Sequence, residues 1–146
     1  MADLSTLTSQ KDPELTLQEA LVEMDRCQQD YLYFKTFCRL IETPSISNPG
    51  GLIPFEPWPH LQTLDAHLLS DRLLSCMKTR QMGVSYDIAE YIDWFSLTHH
   101  GALWMLFSRG EAEAIELLAK CKRIYANLPR WLQPKTGSAS ATELSF

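Results

Sequence analysis

An α/β domain with a partial parallel sheet and flanking helices, preceded by a helical segment, is predicted by three features of the sequence. The apolar run Leu73-Leu74-Ser75-Cys76-Met77 leads into a basic octet, Lys78 to Ser85, and then into an amphipathic stretch from Tyr86 to His100. A second continuous apolar run, Leu103-Trp104-Met105-Leu106-Phe107, has strand length and no charge, as expected of a strand covered on both faces. Another amphipathic stretch follows it. The order strand, loop, helix, strand, helix is the βαβα arrangement of a parallel sheet with right-handed crossover.

Bulk properties bound the rest. The 146 residues suffice for one domain with a moderate core, and a composition 45% hydrophobic and 21% charged is that of an ordinary globular protein. No apolar run approaches the roughly 20 residues of a membrane-spanning helix. Met1 to Pro13 lacks the basic start and apolar middle of a secretory signal, so a cytoplasmic location is expected. The net charge of -5 argues against a surface designed as a whole for nucleic acid but permits a local basic strip. Cys27, Cys38, Cys76 and Cys121 lie far apart within apolar-periodic segments and read as buried thiols. His99-His100 is the only close pair of candidate ligands, so no metal site built from protein side chains is expected.

Four regions follow in order. Residues 1–15 read as a flexible lead-in and 16–44 as a helical segment. Residues 45–134 read as the first part of the α/β domain and 135–146 as a tail or the start of a further strand. Thr16-Leu17-Gln18-Glu19 has the form of a capping box, with Leu17, Leu21 and Met24 on one face of the helix it opens. Tyr31, Phe34, Phe37 or Cys38, and Ile41 continue at helical spacing to Pro44, as one irregular helix or two. Thr43 to Pro59 is rich in proline, contains Gly50-Gly51, and reads as an ordered loop holding Phe55 and Trp58. A helix then carries Leu61, Leu64 or Asp65, and Leu68, and ends at Ser70-Asp71.

The helix after the octet presents Ile88, Tyr91 or Ile92, and Phe95, with Gly101 just past its end. Ser108-Arg109-Gly110-Glu111 reads as a second capping box, opening a helix to about Ala126 with Ile115, Leu118, Cys121 or Lys122, and Tyr125 on one side. Leu128-Pro129 stops it. Ala141 to Phe146 is a short strand candidate.

The octet carries the chemistry. A phosphate loop reads Gly, four residues, Gly, Lys, then Ser or Thr. Here Gly83 and Ser85 hold the second glycine and hydroxyl positions, Lys78 stands at the first glycine and Val84 at the lysine. Gly83 permits close backbone approach, Ser85 offers a hydroxyl to Mg2+, and Lys78 reaches the phosphates as a flexible point charge. Arg80 adds a second cation, able to contact the transferred phosphoryl group. The same spacing also describes a plain basic turn with Lys78 and Arg80 in solvent. Upstream, Phe55, Trp58, Pro59 and Gln62 include an aromatic that can stack on adenine and an amide that matches its N6/N7 edge, or else core residues beside a surface glutamine. Asp87, Glu90 and Asp93 on the following helix and His99 and His100 at its end require no catalytic role, since favourable helix electrostatics account for Asp87 and for the two histidines; Arg109 is placed to reach nucleotide or a neighbouring subunit, or else is a helix-entry surface residue.

In combination these pieces resemble the N-terminal ATPase domain of the large terminase subunit of tailed bacteriophages. The matching stretches are Phe34-Lys35-Thr36-Phe37-Cys38, Phe55-Glu56-Pro57-Trp58-Pro59 with Gln62, Lys78 to Ser85, Leu103 to Arg109, and Leu128-Pro129-Arg130-Trp131-Leu132. They run in order from about Tyr33 to Phe146.

The resemblance implies a RecA-like P-loop NTPase core that binds ATP and Mg2+. The nucleotide is then held by Lys78, Thr79, Gln81, Met82, Gly83, Val84 and Ser85, with Gln62 and Trp58 at the base, Ser85 at the metal and Arg80 in the catalytic role. It implies double-stranded phage DNA, the small terminase subunit and the portal protein as partners, a homo-oligomeric ring for the full-length protein, and the host cytoplasm as location. The family's acidic Walker B strand and nuclease domain have no counterpart in this sequence, so little ATP turnover is expected of this chain. Two other readings remain open: a non-hydrolysing interaction or assembly module with the same fold, and a helicase-type ATPase. The W-P-x-x-Q and L-P-x-W-L pieces favour the terminase over the helicase.

Overall fold

Thr16 opens the first helix by reciprocal capping. Its hydroxyl accepts from the Glu19 backbone N–H at 3.3 Å while the Glu19 carboxylate takes the Thr16 N–H at 2.8 Å, satisfying donors that helix geometry leaves orphaned. The fold is a computed structural model that describes residues 15–42, 50–55 and 58–146. Helix α1 spans Leu17–Gln29 and α2 spans Tyr31–Lys35. Asp30 separates them: its backbone is extended and its side chain accepts from the Tyr33 N–H, which starts a new helix. The structure therefore has two helices where periodicity left the choice open.

After α2 come β1 (Arg39–Glu42) and β2 (Gly51–Pro54), then α3 (Pro59–Ser70), α4 (Val84–Thr98) and α5 (Glu111–Ala126). A 3-10 turn at Arg130–Leu132 and the short strands β3 (Ser138–Ala139) and β4 (Leu144–Ser145) complete the order. Pro59 sits in the first turn of α3, where its missing N–H removes no helix bond.

The main core joins α1, α2, α4 and α5. Cys27, Tyr31, Phe34, Cys38, Ala89, Ile92, Trp94, Cys121 and Ile124 are buried together, with Leu128 and Leu132 closing one side. The indole N–H of Trp94 donates to the Cys27 carbonyl at 2.7 Å, so the largest buried ring brings its polar atom a partner. A second, smaller core of Leu61, Leu64 and Val84 ties α3 to the start of α4.

The expected parallel sheet and RecA-like core are not present. Among the described residues the strands form two antiparallel pairs, β1 with β2 and β3 with β4, and the remaining architecture is helical. The runs Leu73–Met77 and Leu103–Phe107, predicted as its strands, make no backbone hydrogen bond and lie mostly exposed. Strand length and absence of charge describe a segment fit for a sheet, whereas a strand exists only when a neighbour supplies the ladder. Neither run has that neighbour.

Several boundaries and faces also shift. The segment predicted as helical up to Pro44 is strand from Arg39, and part of the predicted loop is β2. The rest of that loop, 43–49 with 56–57, lies outside the described residues, as does the predicted lead-in up to 14. On α1 the exposed face holds Leu17, Leu21 and Met24, and the buried positions are Ala20 and Cys27. Helix α4 starts two residues earlier than predicted. Its buried face comprises Val84, Asp87, Ala89, Glu90, Ile92, Asp93 and Trp94, of which only Ile92 was expected. The second capping box does not form; Gly110 caps α5 without a side-chain bond. Three thiols are buried as predicted, and Cys76 is exposed. The 141–146 strand candidate contracts to β4, paired with β3.

Candidate functional site

The Lys78–Ser85 octet is a turn feeding directly into α4. Gln81 has φ +61° and Gly83 φ +74°, so the backbone takes a left-handed step twice within three residues. For Gly83 that conformation is unstrained; for Gln81 it is uncommon in a non-glycine residue. Gly83 then caps α4, and its carbonyl accepts from the Tyr86 and Asp87 N–H groups at 2.9 and 3.1 Å. No side chain caps this end, and the Val84 and Ser85 N–H groups have no partner among the described residues. Free N–H groups at a helix N-terminus carry partial positive charge and suit an anion.

Lys78, Thr79, Arg80 and Gln81 are exposed, Met82, Gly83 and Ser85 are half-buried, and Val84 is buried in the smaller core. Lys78 and Arg80 make no ion pair or hydrogen bond among the described residues. The two cations and the free N–H groups are thus features a phosphate can use. Ser85 brings a hydroxyl, but the nearest acid on the helix, Asp87, is buried and held elsewhere, so the site offers Mg2+ one protein oxygen and not a cage.

The upstream set meets the octet through different side chains from those predicted. His60 places Nε2 2.9 Å from the Met82 carbonyl oxygen, and a methyl group at Gly83 would lie 3.1 Å from Leu61 Cδ1 and 3.8 Å from the Phe55 ring. Phe55, His60 and Leu61 therefore pack the turn from below. Trp58, half exposed, caps α3 and has its ring 5.5 Å from that of His60, while Gln62 lies exposed one turn along. The predicted aromatic, Trp58, lies two residues before His60 and the predicted amide, Gln62, one residue after Leu61, so neither is a contact that holds the turn.

A second constellation was not anticipated. Lys35 at the end of α2 is buried, and its ammonium donates to both Asp65 oxygens at 2.8 and 2.9 Å and to Asp87 at 2.5 Å, with Glu90 3.8 Å away. All four side chains are buried. Burial pushes the Asp87 carboxyl up to about 6, against the pull of Lys35, and raises Glu90 and Asp93 well above the ordinary carboxylate range. For Lys35 burial acts downward, but the hydrogen bonds it donates to Asp65 and Asp87, with the charges of Asp87 and Glu90, outweigh it and hold the ammonium above its usual value. Among the described residues one Asp87 oxygen, both Glu90 oxygens and one Asp93 oxygen have no hydrogen-bond partner.

The sequence held a signal for this cluster: Asp87, Glu90 and Asp93 recur at three-residue spacing, which places them on one helix face among apolar neighbours. Helix electrostatics explains an acid in a first turn and says nothing about which face is buried. Among the described residues no group of three His, Cys, Asp or Glu side chains is arranged to hold a metal ion. His99, the other residue noted at a helix end, stacks flat on Phe95 at 3.9 Å. Arg109 is exposed and paired with Glu113 at 3.0 Å. No helix among the described residues is long and apolar enough to cross a membrane. No protein-family model matches the chain, and no curated protein matches it.

Proposed function

We propose that this chain is the ATP-binding portion of a viral DNA-packaging motor of the terminase large-subunit kind, with the nucleotide phosphates at the Lys78–Ser85 turn. The observation that carries the reading is the junction of turn and helix. The left-handed Gly83 leads into the uncapped start of α4, free N–H groups lie at Val84 and Ser85, and Lys78 and Arg80 are uncommitted beside them. In this reading the N–H groups hold phosphate oxygens, Lys78 neutralises them, Arg80 faces the terminal phosphate, and Ser85 contributes one oxygen to Mg2+. Trp58 and Gln62 flank the base. Bound Mg-ATP supplies the phosphoryl group whose transfer drives translocation of duplex DNA in the motor; the chain's own part is to bind and orient it.

Titration calorimetry with Mg-ATP tests this. Lys78→Ala is expected to weaken binding more than tenfold, and ATP turnover by the chain alone should be negligible, because Asp87, Glu90 and Asp93 are buried and Asp87 is held by Lys35. Absent binding, or equal binding by both proteins, overturns the proposal. A second reading, a non-hydrolysing interaction module, is favoured by a separate observation: the two exposed apolar runs that flank α4. It predicts no Lys78-dependent nucleotide binding at all.

A further inference from the structure

Two stretches of this chain have the makings of strands and no partner. From Leu74 to Thr79 and from Ala102 to Ser108 the backbone runs without helix, turn or bend, and none of its N–H or C=O groups between Leu74 and Thr79 or between Leu103 and Ser108 is hydrogen-bonded among the described residues. Exposure alternates along the second as on a strand: Leu103 83%, Trp104 40%, Met105 70%, with Leu106 half-buried and Phe107 81%. In the first, Leu73 is 93% and Met77 100% exposed. Solvated rows of this kind are templates for pairing with another chain.

Between Ala102–Phe107 and β4 lies a groove of about 860 Å³, floored by Ile92, Leu97, Ile115 and Leu118. Its exposed acids are Glu111 and Glu143, and His99 and His100 also line it. The nearby cation Arg109 is already paired with Glu113. The groove therefore favours an apolar strand with positive ends.

The first stretch has that chemistry. Leu73–Met77 is apolar apart from Ser75 and is flanked by Arg72 on one side and Lys78 and Arg80 on the other, all exposed. Pairing Leu103–Phe107 with its own copy would gain no charge attraction, and antiparallel pairing of Leu73–Met77 with its own copy would set Arg72 against Lys78, like charges face to face.

We infer that two copies of this chain associate by exchanging strands: segment 73–78 of each copy adds to segment 102–108 of the other and lies in its groove. One such contact covers on the order of 1,000 Å² of apolar surface, about the minimum for a specific interface, and reciprocal exchange across a two-fold axis doubles it into the range of stable dimers. Lys78 ends the exchanged segment and also belongs to the turn that faces the phosphates, so the test is made without nucleotide.

Sedimentation velocity between about 1 and 200 µM tests the inference on the whole chain without nucleotide, with far-UV circular dichroism as the folding control. The wild type is expected to shift from monomer to dimer across that range. A strand variant, Leu73→Asp with Met77→Asp, and a groove variant, Met105→Pro, should each stay monomeric, while their mixture forms a one-to-one dimer, because each retains the surface the other lacks. Leu103→Asp replaces Met105→Pro if proline lowers the helical signal. A wild type monomeric throughout overturns the inference. So does a dimer that survives the strand variant, which would mean that copies pair through 102–108 alone, or a mixture that remains monomeric.

Discussion

The ammonium of Lys35 donates to both carboxylate oxygens of Asp65, at 2.8 and 2.9 Å, across thirty residues of chain and entirely out of solvent. The pair joins the end of α2 to the middle of α3, and it extends to Asp87 on α4 at 2.5 Å. One cation thus serves the three helices that position the Gly83 turn.

Removing that cation should be costly. Lys35→Met leaves Asp65 and Asp87 buried without a counter-charge, a change that lowers unfolding free energy by about 3 to 5 kcal/mol at pH 7. Urea denaturation measures it, and a loss below about 1 kcal/mol would contradict the burial and pairing of this cluster. Adding Asp87→Asn to Lys35→Met should recover part of the loss.

Stability should rise on mild acidification, opposite to the usual trend. Asp87 titrates at about 6 in the folded chain against 3.8 for the free side chain, so the folded state binds the proton first. Its contribution is fully present below about 3.8 and is lost as pH rises through 6. Between pH 7 and pH 5 Asp87 alone should add about 1 kcal/mol, with Glu90 and Asp93 acting in the same direction. Exposed Glu19 and Glu116, held below the usual carboxylate value by hydrogen bonds from Thr16 and from Lys120 with Arg123, act in the opposite direction but only at lower pH. Denaturation midpoints at pH 7 and 5 decide the sign.

Glu90 tests the cluster from the other side. Both its oxygens are buried without a hydrogen bond. Glu90→Met keeps the volume and removes the unmet polar atoms, and should raise stability at pH 7 by about 1 to 2 kcal/mol while flattening the pH dependence. Thermal unfolding at the two pH values reads both effects; an unchanged pH slope would assign it to Asp87 and Asp93 alone.

At the turn, Gly83→Ala forces an L-residue to φ +74° and brings its methyl to 3.1 Å from Leu61 Cδ1. The expected loss is about 1 to 2 kcal/mol from backbone strain. Because the same turn aims the free N–H groups, Mg-ATP affinity should fall with it in the calorimetric assay. A variant of wild-type stability would show that the turn has another conformation within easy reach.

Trp94→Phe removes the indole N–H that satisfies the Cys27 carbonyl at 2.7 Å in the main core. An unsatisfied buried acceptor and the smaller ring together should cost about 2 to 3 kcal/mol by chemical denaturation.

Much of the local structure was legible in the residues. Thr16 and Glu19 announced their capping box, Ser70-Asp71 the end of α3, and Leu128-Pro129 the stop after α5. These signals act within one turn of chain, between groups adjacent whatever the rest of the molecule does. The candidate site was legible in part: Lys78 to Ser85 forms a turn at a helix start, but the contacts beneath it come from His60 and Leu61, which lie between Trp58 and Gln62. Helical spacing identifies a helix more readily than it identifies which of two plausible faces the neighbours cover. That is why the burial of Asp87, Glu90 and Asp93 was not foreseen.

By itself the sequence determined where α1 begins, where α3 and α5 end, and where a basic, glycine-bearing turn meets a helix, because capping, proline geometry and glycine's φ are properties of neighbours in the chain. Only the tertiary structure decided that Leu73–Met77 and Leu103–Phe107 form no sheet, and that four acids gather around Lys35 or along the same buried face of α4. Both outcomes depend on groups distant in sequence. A strand needs a second strand to hydrogen-bond, and a buried charge needs a counter-ion that the fold brings to it.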